Sequence, residues 1–411
     1  MDYAAVREEI YRPLREEGTF SWDWLYGQEY ALAVPHAVAP GELRDLRAAT
    51  AVLGSVFDRT VRIVQDGPAE LLAELGIPEA AREAVRMAVL PDAATLIGRF
   101  DFARTPGGWK MLEFNSDTPG GVVEAFHVNG RVCAGHNAAD PNAGLEAMLP
   151  AAFSQIVNRY HALGCPTGSV AFSALDWHAE DAGTARYLLK ASGLGGRFAP
   201  LKDLRVHQDR LCVLADGELI PIDLWYRLHP FGLLAADRDD DGYPTGAHVL
   251  GLIARGRLAA INPPGALIAQ SKALQALVWS LHEAGGFFTA AEQDAIAAHM
   301  LPTYCENRFA GRCPHVAKPV LGREGGGVAV HAADGAVIDC DRERQYTDQP
   351  LVYQQYQDLE TVELPTLAGP KAGRLVWGSF IVNGQPAAVV ARLGGLITDD
   401  LAYFVPVRLA E

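Results

Sequence analysis

Residues 99–121 read RFDFARTPGGWKMLEFNSDTPGG. Apolar and polar residues alternate or run apolar on both sides of TPGG, and Pro-Gly-Gly is turn chemistry, so the stretch predicts an antiparallel hairpin. Side chains two apart share a strand face. Arg99 and Asp101 therefore point the same way on one strand, Glu113 and Asn115 on the other, and the turn brings the four together. Two acids and an amide so placed suit Mg²⁺, which takes hard oxygen ligands and one or two carboxylates beside substrate phosphates. By spacing alone, a solvated strand face carrying an Arg–Asp pair is an equal alternative.

Outside the hairpin, bulk properties narrow the field. The 411 residues are 49% hydrophobic, enough to bury a core across two or three lobes. Lys plus Arg number 35 against 50 for Asp plus Glu, a net charge of −15, which disfavours nucleic acid and anionic membranes and attracts amines. The N-terminus MDYAAVREEIYRPLREEG lacks the apolar run of a signal peptide. No stretch approaches the roughly 18 apolar residues of a membrane span. Six cysteines, Cys133, Cys165, Cys212, Cys305, Cys313 and Cys340, are scattered without CxxC pairs, so a cytoplasmic enzyme with reduced thiols is expected. His299, Cys305, Cys313 and His315 match no common zinc spacing.

The periodicity predicts a long amphipathic helix over 41–64 and a second helix over 79–90. Residues 167–230 read as α/β material: a buried strand in TGSVAFSAL, a helix in EDAGTARYLLKASGL ending at Gly193, then RLCVLADGELIPIDLWYRL as strand, turn and strand. INPPGALIAQSKALQALVWSLHEAG enters a helix with Lys272 near its start. In HVAKPVLGREGGGVAV, Lys318 stands on a strand just before Gly322, Gly325, Gly326 and Gly327. Glycines let backbone N–H groups approach a polyphosphate closely and a nearby Lys neutralises it, although an ordinary glycine-rich hairpin reads the same way. The loop is neither a Walker sequence nor a dinucleotide fingerprint.

RFD followed by LEFNSDTPGG, then AKPVLGREGGGV, LVYQQY and WGSFIVNGQPAAVVARLGGLITDDLAYFVP, resembles the synthetase domain of the glutathionylspermidine synthase family. The spacing of 12 from Asp101 to Glu113 and of two to Asn115 is similar to that family's metal motif. The resemblance implies an α/β (α+β) fold of ATP-grasp type with permuted element order, since here the carboxylates precede the phosphate lysines. It implies one synthetase unit over 1–411, with a core from 1–150 and 340–411, an α/β pre-ATP-grasp lobe at 160–260 and a lid lobe at 265–340. No amidase segment is expected beside it.

Residue by residue, the resemblance implies that Asp101, Glu113 and Asn115 hold Mg²⁺ on ATP, with Lys272 and Lys318 on the phosphates and Gly322, Gly325, Gly326 and Gly327 as the lid. Arg99 and Arg392 clamp the transferring phosphoryl group, where a planar guanidinium fits better than Lys. Tyr353, Gln354 and Gln355 form the hinge beside adenine. Ser116, Asp117 and Thr118 line the acid pocket, with Gly120 and Gly121 in place of small polar residues. Glu180 and Asp181 face the amine, or else simply favour the start of a helix, and Asp223 and Arg227 border the cleft. The implied activity is an ADP-forming carboxylate–amine ligase acting through an acyl-phosphate on small acids and amines. An ATP-binding regulatory protein, a kinase and a specialised-metabolite peptide ligase are the alternatives.

Overall fold

The computed structural model describes residues 2–343 and 345–411. Its fold is mixed α/β, with helices packed on several sheets. The largest is antiparallel and runs Tyr403–Val405, Gln385–Gly394, Gly369–Val382, Ile97–Thr105, Gly108–Asn115, with Thr361–Thr366 added along the far half of Gly369–Val382.

Helix Pro40–Asp66 lies on one face of this sheet, starting with Pro at its first turn, where a missing N–H costs nothing. Leu43, Leu46, Leu53, Val56, Phe57, Val61 and Val64 recur at helical spacing and are buried. Phe57 meets Phe100 and Phe114 edge-on at 5.6 and 5.2 Å, and those two rings stack at 3.8 Å. Strand alternation then fixes the opposite face: with Phe100 and Phe114 in the core, Arg99, Asp101, Glu113 and Asn115 must point away from the helix.

A second antiparallel sheet runs Thr303–Tyr304, Leu351–Gln355, His315–Pro319, Ala329–His331, Val337–Cys340. The glycine-rich loop joins its strands His315–Pro319 and Ala329–His331. Leu351–Gln355 lies inside this sheet, between Thr303–Tyr304 and His315–Pro319. A four-stranded parallel sheet, Ala259–Ile261, Leu224–Arg227, Val170–Ser173, Arg197–Phe198, and a three-stranded antiparallel one, Glu218–Pro221, Arg210–Ala215, Leu204–His207, complete the main layers.

The helix expected over 79–90 is instead two short 3₁₀ turns, Glu79–Ala81 and Ala84–Arg86. Pro78 and Pro91 confine the segment, and the side chain of Gln65 donates to the carbonyls of Val85 and Met87 that a longer helix would use itself. Among the described residues, no helix is long and apolar enough to cross a membrane.

Candidate active site

A cleft with a cavity volume of about 250 Å³ opens between the hairpin face of the first sheet and the glycine-loop sheet. The register sets Asp101 opposite Glu113 and Arg99 opposite Asn115. Immediately beyond Asp101 the pairing slips, Phe102 facing Met111, which leaves Leu112 as the extra residue of a bulge. Its freed carbonyl accepts from Lys318 Nζ at 3.2 Å and Gln354 Nε2 at 3.3 Å, so the bulge docks the second sheet onto the first. Gly378 faces Asp101 from the next strand. A Cβ there would lie 2.8 Å from Arg99 Cδ, so the missing side chain makes room for the guanidinium.

Asp101 is buried and held by two arginines. Arg99 donates to it bidentately at 2.7 and 3.1 Å, and Arg392 Nη2 at 2.7 Å. The Asn115 amide donates to both carboxylates, at 3.1 Å to Asp101 and 3.3 Å to Glu113. Lys272 is the first residue of helix Lys272–Ala284, capped by Ser271, and its Nζ reaches Glu113 at 3.2 Å and the Gly322 carbonyl at 2.7 Å. Lys318 Nζ also donates to Gln354 Oε1 at 2.7 Å.

Burial opposes ionisation of Glu113, yet Lys272, Lys318 and Arg392 outweigh it and hold the carboxyl below the usual range. Burial lowers the Lys318 ammonium to about 8, against the pull of Glu113 and with the push of Lys272. Around Asp101 and Glu113 the cations Arg99, Arg392, Lys272 and Lys318 make a local surplus of positive charge, although the cleft lining as a whole, with Arg323, Glu124, Glu180, Glu324, Asp399 and Asp400, is acidic. Among the described residues Arg392 Nε has no partner. Such a surplus fits a metal-bound polyphosphate, whose oxygens would satisfy cations now held by neutral acceptors and whose metal would take the carboxylates. Among the described residues, no group of three or more His, Cys, Asp or Glu gathers as a metal cluster, so any metal here shares a two-carboxylate site.

The sequence model of the family described as glutathionylspermidine synthase preATP-grasp matches residues 4–410. The chain belongs to this family. Membership places it with ATP-dependent ligases that form amide bonds. A solved glutathione synthetase-like effector from Globodera pallida, in its apo form, has the same fold at a TM-score of 0.60 and 12% identity, over 100% of this chain and 98% of that one.

Of the residues singled out from sequence, Arg99, Asp101, Glu113, Asn115, Thr118, Glu180, Lys272, Lys318, Gly322, Gly325, Gln354, Gln355 and Arg392 line the cleft. Ser116 and Asp117 do not. Gln270 Oε1 accepts from both of their backbone N–H groups, the Ser116 hydroxyl donates to the Ala266 carbonyl, and Asp117 pairs with buried Arg227 at 2.5 Å. Arg227 is therefore scaffold, and Asp223 is occupied by Arg210 and the Ser169 N–H. Tyr353 lies beside His315 instead of the cleft, Gly326 and Gly327 shape the loop from behind, and Asp181 packs against His178. Arg323 of the glycine loop donates to the Thr118 hydroxyl at 2.7 Å, bridging the cleft.

Sequence reasoning missed Glu124, Tyr30, Tyr26 and His178, which also line the cleft. Glu124 lies three residues past Gly121, on the π-helical turn Glu124–Val128, where no local motif marks it. The one signal is an acid inside the otherwise apolar run VVEAF.

Proposed function

We propose that the protein is an ATP- and Mg²⁺-dependent carboxylate–amine ligase, joining a small acid, an amino acid or short peptide, to a small amine or polyamine. The observation that carries this reading is the convergence of Asp101, Glu113 and Asn115 with Lys272, Lys318, Arg99 and Arg392 on one cleft.

When bound, Mg-ATP supplies a phosphoryl group that converts the acid into an acyl-phosphate, whose phosphate an amine can displace. Asp101, Glu113 and Asn115 would hold the metal, and Lys272 and Lys318 the phosphate oxygens. Released from Asp101, Arg99 and Arg392 orient the phosphoryl oxygens, a task for which guanidinium geometry is suited. Leu301, Val316, Val330 and Leu359 offer an apolar wall for adenine, with Gln355 at its edge. The loop carrying Gly322 and Gly325 would exclude water from the activated acid. Thr118, held by Arg323, marks the acid's end of the cleft.

The same reading assigns permuted ATP-grasp order, a core from 1–150 and 340–411, a pre-ATP-grasp lobe at 160–260 and a lid lobe at 265–340, and a cytoplasmic location. The test is ADP release from Mg-ATP with a panel of amino acids and small peptides, with and without amines, followed by mass spectrometry. A product lighter by one water than its two substrates supports ligation. A stable phosphorylated acid indicates a kinase, and nucleotide binding without turnover a regulatory protein.

A further inference from the structure

A second cavity, of about 220 Å³, opens where the base of the glycine loop meets residues 230–233 and helix Ala266–Gln270. It is smaller than the roughly 300–1,000 Å³ typical of sites for drug-sized ligands, so an occupant of amino-acid size suits it. Leu233, Leu267, Val320 and Leu321 give it an apolar wall. Leu233 and Asp348 are exposed, so the cavity is open to solvent.

The polar groups around it are only half used. Gln270 is buried, and its Oε1 accepts from the Ser116 and Asp117 N–H groups, which leaves Nε2 with no acceptor among the described residues. Gln349 is placed the same way: its Oε1 accepts from the Leu321 N–H at 2.9 Å, and its Nε2 has no acceptor among those residues either. Arg323 gives Nη1 to the Thr118 hydroxyl, while its Nε and Nη2 have no partner among the described residues. Asp348 makes no hydrogen bond or ion pair among them. Asp117, in contrast, has both oxygens filled, one by Arg227 and one by the Phe231 N–H. Two amide nitrogens and one guanidinium edge are donors that suit a carboxylate, and Asp348 is an acceptor that suits an ammonium.

We propose that this cavity binds an α-amino acid with an apolar side chain, its carboxylate on Gln270, Gln349 and Arg323, its ammonium on Asp348 and its side chain on the apolar wall. The site lies outside the cleft and goes beyond the ligase reading. Among the described residues, Arg323 is the one that lines both cavities. A carboxylate on its Nε and Nη2 edge leaves Nη1 on Thr118, so occupancy steadies the contact that bridges the cleft. The same ligand packs on Val320 and Leu321, and Val320 is tied by its carbonyl to the Lys272 N–H at 2.8 Å and by its N–H to the Pro350 carbonyl at 3.0 Å. The cavity is thus placed to hold the base of the glycine loop, which is the position of an effector and not of a reactant.

The test is isothermal titration calorimetry of the full chain without nucleotide. The probe is leucine, with 4-methylpentanoate as leucine lacking its ammonium and 3-methylbutylamine as leucine lacking its carboxylate. Leucine is expected to bind saturably and each fragment about 10- to 100-fold more weakly, the loss of charge-assisted contacts. Gly232→Phe fills the cavity and should abolish binding. A Cβ at Gly232 meets only Leu321 Cδ1, at 3.5 Å, so a side chain is accepted there. Asp348→Asn, on the exposed rim, should weaken leucine by about 10-fold and leave 4-methylpentanoate unchanged, which keeps the assignment testable should Gly232→Phe fail to fold. Leucine should also slow hydrogen exchange in residues 320–327. Leucine that does not bind, or that binds wild type and Gly232→Phe alike and so sits elsewhere, overturns the site. Binding without protection of 320–327 overturns its hold on the loop. None of these readings involves turnover, so the ligase reading is decided separately by ADP release.

Discussion

Arg392 and Asp101 are 291 residues apart in the chain and 2.7 Å apart in the fold, and Arg99 grips the same carboxylate from the other side. Without a nucleotide, the groups proposed to hold metal and phosphoryl neutralise one another. Binding must exchange these ion pairs for metal–carboxylate and arginine–phosphate contacts, so the two acids of the hairpin are not equivalent under mutation.

Asp101→Asn should destabilise the protein, because it leaves two guanidinium groups facing a neutral amide in a buried place. Removing one partner of a buried pair costs about 3–5 kcal/mol. Thermal denaturation checks this, and a melting temperature unchanged from wild type contradicts it.

Glu113→Gln is the cleaner probe of metal binding. Glu113 is only half-buried, and Lys272, the cation that pairs with it directly among the described residues, keeps the Gly322 carbonyl. Folding should survive while ADP formation falls by about 10²- to 10³-fold or more. Steady-state kinetics beside circular dichroism decide it, and full turnover in the variant contradicts the metal role.

Gly327→Ala should loosen the lid. The residue has φ +69°, and a Cβ would meet Pro319 Cγ at 2.5 Å and the Gln345 carbonyl at 2.7 Å. Strain of about 1–3 kcal/mol is expected. The KM for ATP should rise with the loss of stability, and a variant matching wild type in both would show that the loop tolerates a side chain.

Glu180 gives stability a pH dependence of definite sign. Its carboxyl moves from 4.5 to about 8 on folding, so the folded chain keeps a proton that the unfolded chain releases. The contribution is full below 4.5 and is lost as pH rises through 8. Glu180→Gln, neutral at every pH, should therefore gain stability over wild type at about pH 9, by about 1–3 kcal/mol given its partial exposure. Denaturant unfolding across the range tests this, and parallel curves for the two proteins contradict it.

Helix Pro40–Asp66 was legible because its apolar residues repeat at helical spacing over seven turns, and the hairpin face because Phe100 and Phe114 alternate with polar residues. Lys272 and Lys318 were legible as types in a setting, a lysine at a helix start and one before glycines. What stayed hidden depends on long-range contacts. Asp117 reads as a substrate acid until Arg227 is placed beside it, 110 residues away. Glu124 reads as one acid in an apolar run until Trp22, 102 residues away, fixes half of its carboxylate. The bulge at Leu112 leaves no mark on composition, yet it turns a carbonyl toward Lys318.

The central claim is that a carboxylate is activated by phosphoryl transfer before an amine displaces the phosphate. The direct measurement uses an acid from the panel labelled with heavy oxygen in its carboxylate, incubated with Mg-ATP and amine, and reads the inorganic phosphate by mass spectrometry. One heavy oxygen transferred into each phosphate released, matched to amide formed, is the predicted result. Phosphate that carries no label while amide accumulates would contradict the account.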